Sequence, residues 1–274
     1  MISDAKPTQP PLAGTRRLLD VMERLRSPEG CPWDREQTHR SLVPFLLEEV
    51  YELIDALESG QESHFKEELG DVLLQVVFHA RIAEENGKFD FDALAGLLAD
   101  KMIQRHPHVF LTQSASDAEA VSNLWHRKKM EQRNSALDGI PPAMPALAWA
   151  HKVSSRAARS GFEWRNTDEI LGKIAEEAQE VQRAALALKT AGVSHDSAEY
   201  AHLEEELGDL LFAQVQLARW LRLDPEAALR KGVRKFSARY RWMEQTLHQR
   251  GDKPERQNAE TWWSLWNAAK SAVG

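Results

Sequence analysis

The sequence contains one cysteine, Cys31, among its 274 residues. A single thiol excludes an intrachain disulfide and a cysteine-based zinc cage. The absence of disulfides is typical of a reducing compartment, so we expect a cytoplasmic protein. Residues 1–14 contain several prolines and no continuous apolar run. They are predicted to form a flexible tail and not a signal peptide.

Long apolar runs and an excess of positive charge are also missing. No stretch approaches the roughly 20 apolar residues that cross a bilayer, which argues against a membrane-spanning helix. Lysine and arginine total 35 against 42 aspartates and glutamates, for a net charge of −7. This balance predicts no extended basic face for duplex nucleic acid. The Gly-x-x-x-x-Gly-Lys-Ser/Thr loop is absent, which excludes a P-loop nucleotide site.

The apolar spacing is helical along almost the whole chain, and no alternating run is long enough to predict a sheet. The fold class is therefore predicted to be all-α. Residues 135–145 hold one glycine and three prolines, which marks the best candidate for a domain boundary. We predict an N-terminal domain over 15–134, a linker over 135–146 and a C-terminal domain over 147–274. The predicted helices cover 15–26, 39–58, 62–86, 90–105, 117–134, 146–160, 168–190, 198–222, 225–249 and 258–272.

The two predicted domains share an internal repeat, which indicates a duplicated domain. Glu48-Glu49-Val50-Tyr51-Glu52 recurs as Glu176-Glu177-Ala178-Gln179-Glu180. Glu68-Leu69-Gly70-Asp71 recurs as Glu206-Leu207-Gly208-Asp209. Basic and aromatic residues follow both copies in the same order: Lys101, Arg105, Trp125 and Lys129 in the first, and Lys235, Arg239, Trp266 and Lys270 in the second.

The repeated acidic residues are predicted to converge in each copy. Residues three or four apart share a helix face, so Glu49 and Glu52 converge on one helix, and Glu68 and Asp71 on the next. Because only residues 58–62 connect these helices, they should be antiparallel neighbours with their acidic groups across one seam. The buried stripe beside that seam is predicted to be Leu69, Val72, Leu73, Val76 and Val77.

Such a group of carboxylates needs protons or a cation. Two like charges 4 Å apart cost about 4 kcal/mol at an effective dielectric of 20. Oxygen-only ligation favours Mg²⁺, with Mn²⁺ as a substitute, over zinc. A solvated acidic surface is the alternative, and a single EExxE motif would favour it. The pairing with ExxD on the next helix, found twice, favours the metal site.

The basic residues fit a phosphate-bearing substrate. A triphosphate carries about four negative charges, which metal ions with Lys and Arg can neutralise. Ordinary surface charge is an equal alternative for Lys235 and Arg239, since the same helix holds several other basic residues. Trp33 and Trp164 precede the acidic helices, where each could either stack on a base or anchor a loop in the core.

These motifs resemble a known family. The EExxE and ExxD pairs, Cys31-Pro32-Trp33-Asp34-x-x-Gln37-Thr38, and Lys235-Phe236-x-x-Arg239 are similar to motifs of the MazG nucleoside triphosphate pyrophosphohydrolases. Their duplication resembles the two-domain bacterial members, over about residues 16–272. The resemblance implies tandem all-α NTP pyrophosphatase bundles completed by dimerisation, as a homodimer or higher homo-oligomer. It also implies Mg²⁺-dependent hydrolysis of ribo- and deoxynucleoside triphosphates at the α–β phosphate link, to monophosphate and pyrophosphate.

The resemblance also implies roles for individual residues. The C-terminal metal ligands would be Glu177, Glu180, Glu206 and Asp209, and Glu176 would be a ligand or a water-orienting base. The N-terminal counterparts are Glu49, Glu52, Glu68 and Asp71. The nucleotide would be bound by Lys235, Arg239, Trp266 and Lys270, and the N-terminal equivalents are Lys101, Arg105, Trp125 and Lys129. The C-terminal copy is usually credited with the activity. His202 stands where relatives can carry a lysine, which weakens one phosphate contact.

Two other functions are alternatives to this one. A nucleotide-sensing or protein-binding module without turnover would suit a duplicated domain with one degenerate copy. A di-metal oxygenase-type bundle would need Glu-x-x-His motifs, whereas both pairs here are Glu-x-x-Asp. In the favoured hypothesis, a metal-bound or glutamate-oriented water attacks phosphorus in line and pyrophosphate leaves.

Overall fold

A computed structural model describes residues 12–110, 134–191 and 195–274. The chain divides into two compact units, Met1–Trp125 and His126–Gly274. Helices are the regular elements of both units in the described ranges, so the all-α prediction is confirmed. Residues 117–133 of the helix predicted over 117–134 lie outside the described residues, and so do Trp125 and Lys129. The linker predicted over 135–146 stays a prediction.

The first unit centres on two antiparallel helices with a very short connection. Its helices are α1 Ala13–Arg26, α2 Pro32–Glu36, α3 Val43–Ser59, α4 Glu62–Glu85, α5 Phe91–Arg105 and α6 Pro107–Phe110. α3 packs against α4, and α4 also contacts α1 and α5. Gly60 ends α3 in the left-handed region at φ 70°, which glycine adopts without a steric penalty. The predicted tight turn between the acidic helices is therefore confirmed.

The second unit repeats this helix pair and adds two long helices. Its elements are α7 Ala146–Arg159, α8 Thr167–Ala191, α9 Ala198–Trp220, α10 Pro225–Gln249, a 3₁₀ turn Pro254–Arg256 and α11 Ala259–Val273. α8 packs against α9, α9 contacts α7, and α10 packs against α11. Side-chain oxygens of Ser197, Asp224 and Asn258 accept backbone N–H bonds at the starts of α9, α10 and α11. These N-caps satisfy otherwise unpaired donors and fix where each helix begins.

The buried stripe of α4 differs from the predicted one. Leu69, Leu73 and Val76 are 48, 44 and 39 % exposed. The buried positions of α4 are Glu68, Gln75, Val77, Phe78, Ala80, Ile82 and Ala83. Val77 of the predicted stripe is buried, but the apolar pattern otherwise selected the wrong face, because the packed face carries a glutamate and a glutamine. Leu207 and Leu211, at matching positions of α9, are also exposed.

Arg26 ties the segment after α1 to the end of α4. Its side chain is 6 % exposed, and Nη2 lies 2.7 Å from Oε2 of Glu85. Nη1 donates to the backbone carbonyls of Asp34 and Gln37, and the guanidinium lies 5.3 Å from the centre of the Phe78 ring. Hydrogen bonds from Arg26 are the main reason that the pKa of Glu85 is lowered. The loop before α3 is thus fixed by one largely buried cation.

Each unit has an apolar cluster that packs helices together. In the first unit, buried side chains of α1, α4 and the start of α3 meet: Met22, Leu42, Val77, Phe78 and Ile82. In the second unit, α10 and α11 bury Met243, Leu247, Leu265 and Ala269 beneath Trp242, Trp262 and Trp266. No helix in the described ranges is both long and apolar enough to span a bilayer.

Candidate active site

Three carboxylates meet where α3 faces α4. Glu49 and Glu52 of α3 and Glu68 of α4 each place one oxygen within 4.8 Å of the others. Glu68 is only 7 % exposed, so part of the cluster lies inside the packed seam. Asp71, one turn further along α4, lies outside this set of three. The first unit therefore brings together three of its four predicted ligands.

Burial and repulsion raise the pKa of two carboxylates in this cluster, Glu49 and Glu68. The pKa of Glu49 is raised first by burial and then by the charges of Asp71 and Glu52. Burial is also the main cause of the raised pKa of Glu68, although His64 Nδ1 lies 3.2 Å from its Oε1. A set of carboxylates that resists ionisation is stabilised by a bound cation. Its oxygen-only donors from α3 and α4 fit a hard divalent ion.

The second unit builds the same cluster between α8 and α9. Glu177 and Glu180 of α8 and Glu206 of α9 place their oxygens within 4.8 Å of one another. Glu177 is 4 % exposed. The pKa of Glu180 is raised, first by burial and then by a hydrogen bond with Glu177 and the charge of Glu206. Glu176 and Asp209 are exposed and lie outside this set.

Two cations pair with the second cluster, and sequence reasoning missed both. Lys173 Nζ lies 2.5 Å from Oε1 of Glu177 and 2.9 Å from Oε1 of Glu176. These two carboxylates raise the pKa of Lys173 above its usual range, so the amine stays charged. Arg183 Nη2 lies 3.2 Å from Oε1 of Glu180. Their spacing of three and four residues from the glutamates was the signal available in the sequence.

A histidine accompanies the clustered glutamate of the second helix in both copies. His202 Nδ1 lies 3.5 Å from Oε1 of Glu206, as His64 does near Glu68. The sequence singled out His202 but missed His64. Because both histidines stand four residues before their glutamate, the repeat itself could have identified the second one.

The predicted nucleotide-binding residues of the second unit lie on α10 and α11. The Arg239 guanidinium lies 5.5 Å from the centre of the Trp266 ring. Its Nη2 donates to the carbonyl of Gly274 at 2.8 Å, and its buried Nε has no hydrogen-bond partner in the described part of the chain. Lys270 Nζ donates to Asn267 Oδ1 at 3.2 Å, and Lys235 is exposed.

These basic side chains do not pair with the acidic cluster. Across the described residues, no ion pair joins Lys235, Arg239 or Lys270 to a carboxylate of α8 or α9. In the first unit, Lys101 and Arg105 lie towards the end of α5, exposed and half-buried respectively. The geometry therefore supports the stacking of Arg239 on Trp266 but shows no contact between the basic and acidic sets.

The two tryptophans before the acidic helices have different environments. Trp164 Nε1 donates to Gln216 Oε1 at 2.6 Å, beside a cavity of about 440 Å³. Trp33 is more exposed and meets the Phe45 ring edge-on, with centroids 5.6 Å apart. The bond to Gln216 supports the loop-anchor interpretation for Trp164. Base stacking stays a prediction for Trp33.

Replacing Glu49 by glutamine is expected to raise the melting temperature of the metal-free protein by about 2–4 °C. Because the folded state raises the pKa of Glu49, ionisation costs stability, and this cost appears as the pH rises through that pKa. The gain should therefore be present at neutral pH and disappear in acid. Differential scanning calorimetry in EDTA measures it, with exposed Glu36→Gln as the matched control. A lower melting temperature for Glu49→Gln at neutral pH would contradict the repulsion.

The clusters coincide with recognised domains. The MazG nucleotide pyrophosphohydrolase domain matches this chain twice, at residues 37–110 and 165–243. The first match contains the cluster of Glu49, Glu52 and Glu68, and the second contains that of Glu177, Glu180 and Glu206. The duplication inferred from the repeat is therefore confirmed.

Relatives match along most of the chain. It is 43% identical over 253 residues to the nucleoside triphosphate pyrophosphohydrolase/pyrophosphatase MazG of Thermotoga maritima, which covers 92% of this chain and 94% of the relative. It is 43% identical over 260 residues to the nucleoside triphosphate pyrophosphohydrolase of Escherichia coli K12, covering 93% and 96%. The similarly named protein of Mycobacterium tuberculosis is 43% identical over 153 residues, covering 53% and 46%. The chain belongs to the MazG nucleotide pyrophosphohydrolase family and carries two copies of its domain.

Proposed function

We propose that this chain hydrolyses nucleoside triphosphates, both ribo and deoxy, to monophosphate and pyrophosphate. The observation that carries the proposal is the three-carboxylate cluster, which recurs within both segments that match the family domain. Relatives aligned over 94% and 96% of their own length are named nucleoside triphosphate pyrophosphohydrolases. A hydrolase of phosphoric anhydrides accounts for both features.

Mg²⁺ is the proposed metal, with Mn²⁺ as a substitute. Glu177, Glu180, Glu206 and Asp209 would hold it in the second copy, and Glu49, Glu52, Glu68 and Asp71 in the first. When bound, the metal neutralises phosphate oxygens and makes a coordinated water more acidic. The carboxylate donors support this assignment, as do the raised pKa values of Glu49, Glu68 and Glu180.

The chain's own groups would position the water and the substrate. Glu176, exposed beside Glu177, is the proposed base that accepts a proton from the attacking water, or else a further ligand. Attack in line with the leaving group at the α–β link releases pyrophosphate. Lys173 lies within reach of both glutamates, so it can counter negative charge at this edge of the cluster.

Lys235, Arg239, Trp266 and Lys270 are the proposed nucleotide contacts of the second copy. Arg239 is pre-positioned by Trp266 and keeps an unpartnered Nε. Lys101, Arg105, Trp125 and Lys129 would be the first-copy equivalents. The C-terminal copy is proposed to carry the turnover.

Arg239→Lys is expected to raise KM about tenfold with a smaller change in kcat. Lysine keeps the charge but loses the planar fork that can donate twice to phosphate and stack on Trp266. Steady-state kinetics with one nucleotide measures both constants. The control is Arg241→Lys, an exposed arginine of the same helix, for which no change is expected. An equal rise in KM for both variants would show that Arg239 has no specific role in binding the nucleotide.

A homodimer or higher homo-oligomer in the cytoplasm is also proposed. Exposed apolar side chains follow the acidic residues on both second helices, at Leu69, Leu73 and Val76 and at Leu207 and Leu211. Large apolar rows on a protein surface are commonly covered in an assembly. Sedimentation equilibrium tests the oligomer, and a monomer at all concentrations would contradict it.

The function is tested by following pyrophosphate release from each common NTP and dNTP, with Mg²⁺ or with EDTA. We expect release only with the metal, and from both sugar types. Tight nucleotide binding with no pyrophosphate from any substrate would favour the sensing module over the enzyme. Release that is unaffected by EDTA would contradict the metal assignment.

A further inference from the structure

The two acidic clusters share their carboxylates but differ in the residues around them. The repeat aligns Glu49 with Glu177 and Glu52 with Glu180. In the same register, the lysine at 173 corresponds to Phe45, and the arginine at 183 corresponds to Asp55. At these two positions α3 and α8, the first acidic helices of the two copies, thus differ by three unit charges in total.

The cations contact the second cluster directly. Lys173 Nζ pairs with Glu177 at 2.5 Å and with Glu176 at 2.9 Å. Arg183 pairs with Glu180 at 3.2 Å. Two of the three clustered carboxylates therefore already have a permanently charged partner.

In the described residues, the first cluster has no such partner. Among the residues that the structure describes, no Lys or Arg forms an ion pair with Glu49, Glu52 or Glu68, and the charged contact found there is His64 with Glu68. Both copies have this histidine, since His202 pairs with Glu206. The histidines therefore do not distinguish the two sites, whereas the lysine and arginine do.

The presence or absence of these two cations changes how each cluster binds a divalent ion that arrives without a nucleotide. In the second copy the ion must displace Lys173 from Glu177 and then remain near two positive side chains. In the first copy, as far as the structure describes it, the ion meets carboxylates that have no lysine or arginine partner, and it relieves their repulsion. A metal that arrives bound to a triphosphate carries net negative charge, and the same two cations then attract it.

We propose that the two copies take up metal differently: the first binds a free divalent cation, and the second binds it together with the nucleotide. Lys173 and Arg183 set this difference by neutralising the second cluster in the nucleotide-free protein. The second half of the proposal rests on the proposed function, but the contrast in free-metal affinity does not.

Calorimetric titration of the full nucleotide-free chain with Mn²⁺ tests the contrast. We expect two classes of site that differ at least tenfold in Kd. Glu52→Gln should remove the tight class and Glu180→Gln the weak one. Equal affinities, or loss of the tight class in Glu180→Gln, would overturn the proposal.

Lys173→Met, measured in the Glu52→Gln background, is expected to tighten Mn²⁺ binding at the second cluster at least tenfold. The matched control is Lys189→Met, an exposed lysine in the last turn of the same helix, which should leave Kd unchanged. An unchanged Kd for Lys173→Met would refute the role of this lysine. Circular dichroism confirms that each variant is folded, and Lys173→Gln provides a second neutral replacement.

The proposal that the second copy binds metal together with the nucleotide is tested with a non-hydrolysable triphosphate, which has a methylene group between the α and β phosphorus atoms. We expect it to tighten Mn²⁺ binding at the second cluster at least tenfold in the Glu52→Gln background. No change in Mn²⁺ affinity would overturn the joint binding of metal and nucleotide at the second copy. The difference in free-metal affinity between the copies would then be judged by the titration without nucleotide. Failure of the proposed function would appear instead as absence of pyrophosphate, which this titration does not measure.

Discussion

Glu180→Gln should lower turnover by roughly a hundredfold to a thousandfold while leaving the helices intact. Glu180 supplies one of the three oxygens that meet between α8 and α9, and the amide that replaces it is a weaker, neutral ligand. The fold should tolerate the change because glutamine has almost the same shape. The folded protein also raises the pKa of Glu180, so its charge does not stabilise the metal-free chain. Initial rates at saturating Mg²⁺ and nucleotide, with circular dichroism of the same samples, measure both effects.

The matched control is Glu52→Gln, the same replacement at the same position of the first copy. If the C-terminal copy carries the turnover, this variant keeps most of the wild-type rate. Turnover close to wild type in Glu180→Gln would show that the proposed ligands are wrong. A large loss in Glu52→Gln with little loss in Glu180→Gln would move the activity to the first copy.

Arg26→Met is expected to lower the free energy of unfolding of the first unit by about 3 kcal/mol. The change removes the partner of Glu85 and leaves the carbonyls of Asp34 and Gln37 without their donor. It also removes the contact of the guanidinium with the Phe78 ring. Urea denaturation followed by tryptophan fluorescence measures the loss, since Trp33 lies in α2, within the segment that Arg26 holds in place.

The pH dependence of this loss separates the ion pair from packing. The folded state lowers the pKa of Glu85, chiefly through Arg26. Its stabilisation is therefore present above the unfolded pKa of about 4.3 and is lost as the pH falls through the folded value. The difference between wild type and Arg26→Met should shrink below that range. Arg24→Met, an exposed arginine of the same helix, is the control, and a difference that stays constant in acid would contradict the account.

Periodicity and repetition predicted much of this fold. The 3.6-residue pattern predicted the long helices described in both units, and the short turn at Gly60 followed from the brief connection over 58–62 between two of them. The short helices Pro32–Glu36 and Pro107–Phe110 were missed, because four or five residues contain too few turns for a periodic signal. The packed face of α4 was also misassigned, since Glu68 and Gln75 lie where an apolar pattern expects leucine.

For the candidate site, too, the sequence predicted some residues and missed others. The carboxylates were found because they recur, and the structure brings three of each set together. Lys173 and Arg183 were missed for the opposite reason: Phe45 and Asp55 occupy their places in the first copy, so a search for repeated residues passes over them. The stacking of Arg239 on Trp266 joins α10 to α11. It depends on tertiary packing that no local pattern specifies.

The most direct test of the central claim is the identity of the products. The full chain would be incubated with one ribonucleotide and one deoxyribonucleotide in Mg²⁺, and the products separated by ion-exchange chromatography. The account predicts monophosphate and pyrophosphate in equal amounts, with neither formed in EDTA and both formed roughly a hundredfold to a thousandfold more slowly by Glu180→Gln. Diphosphate with orthophosphate would contradict cleavage at the α–β link.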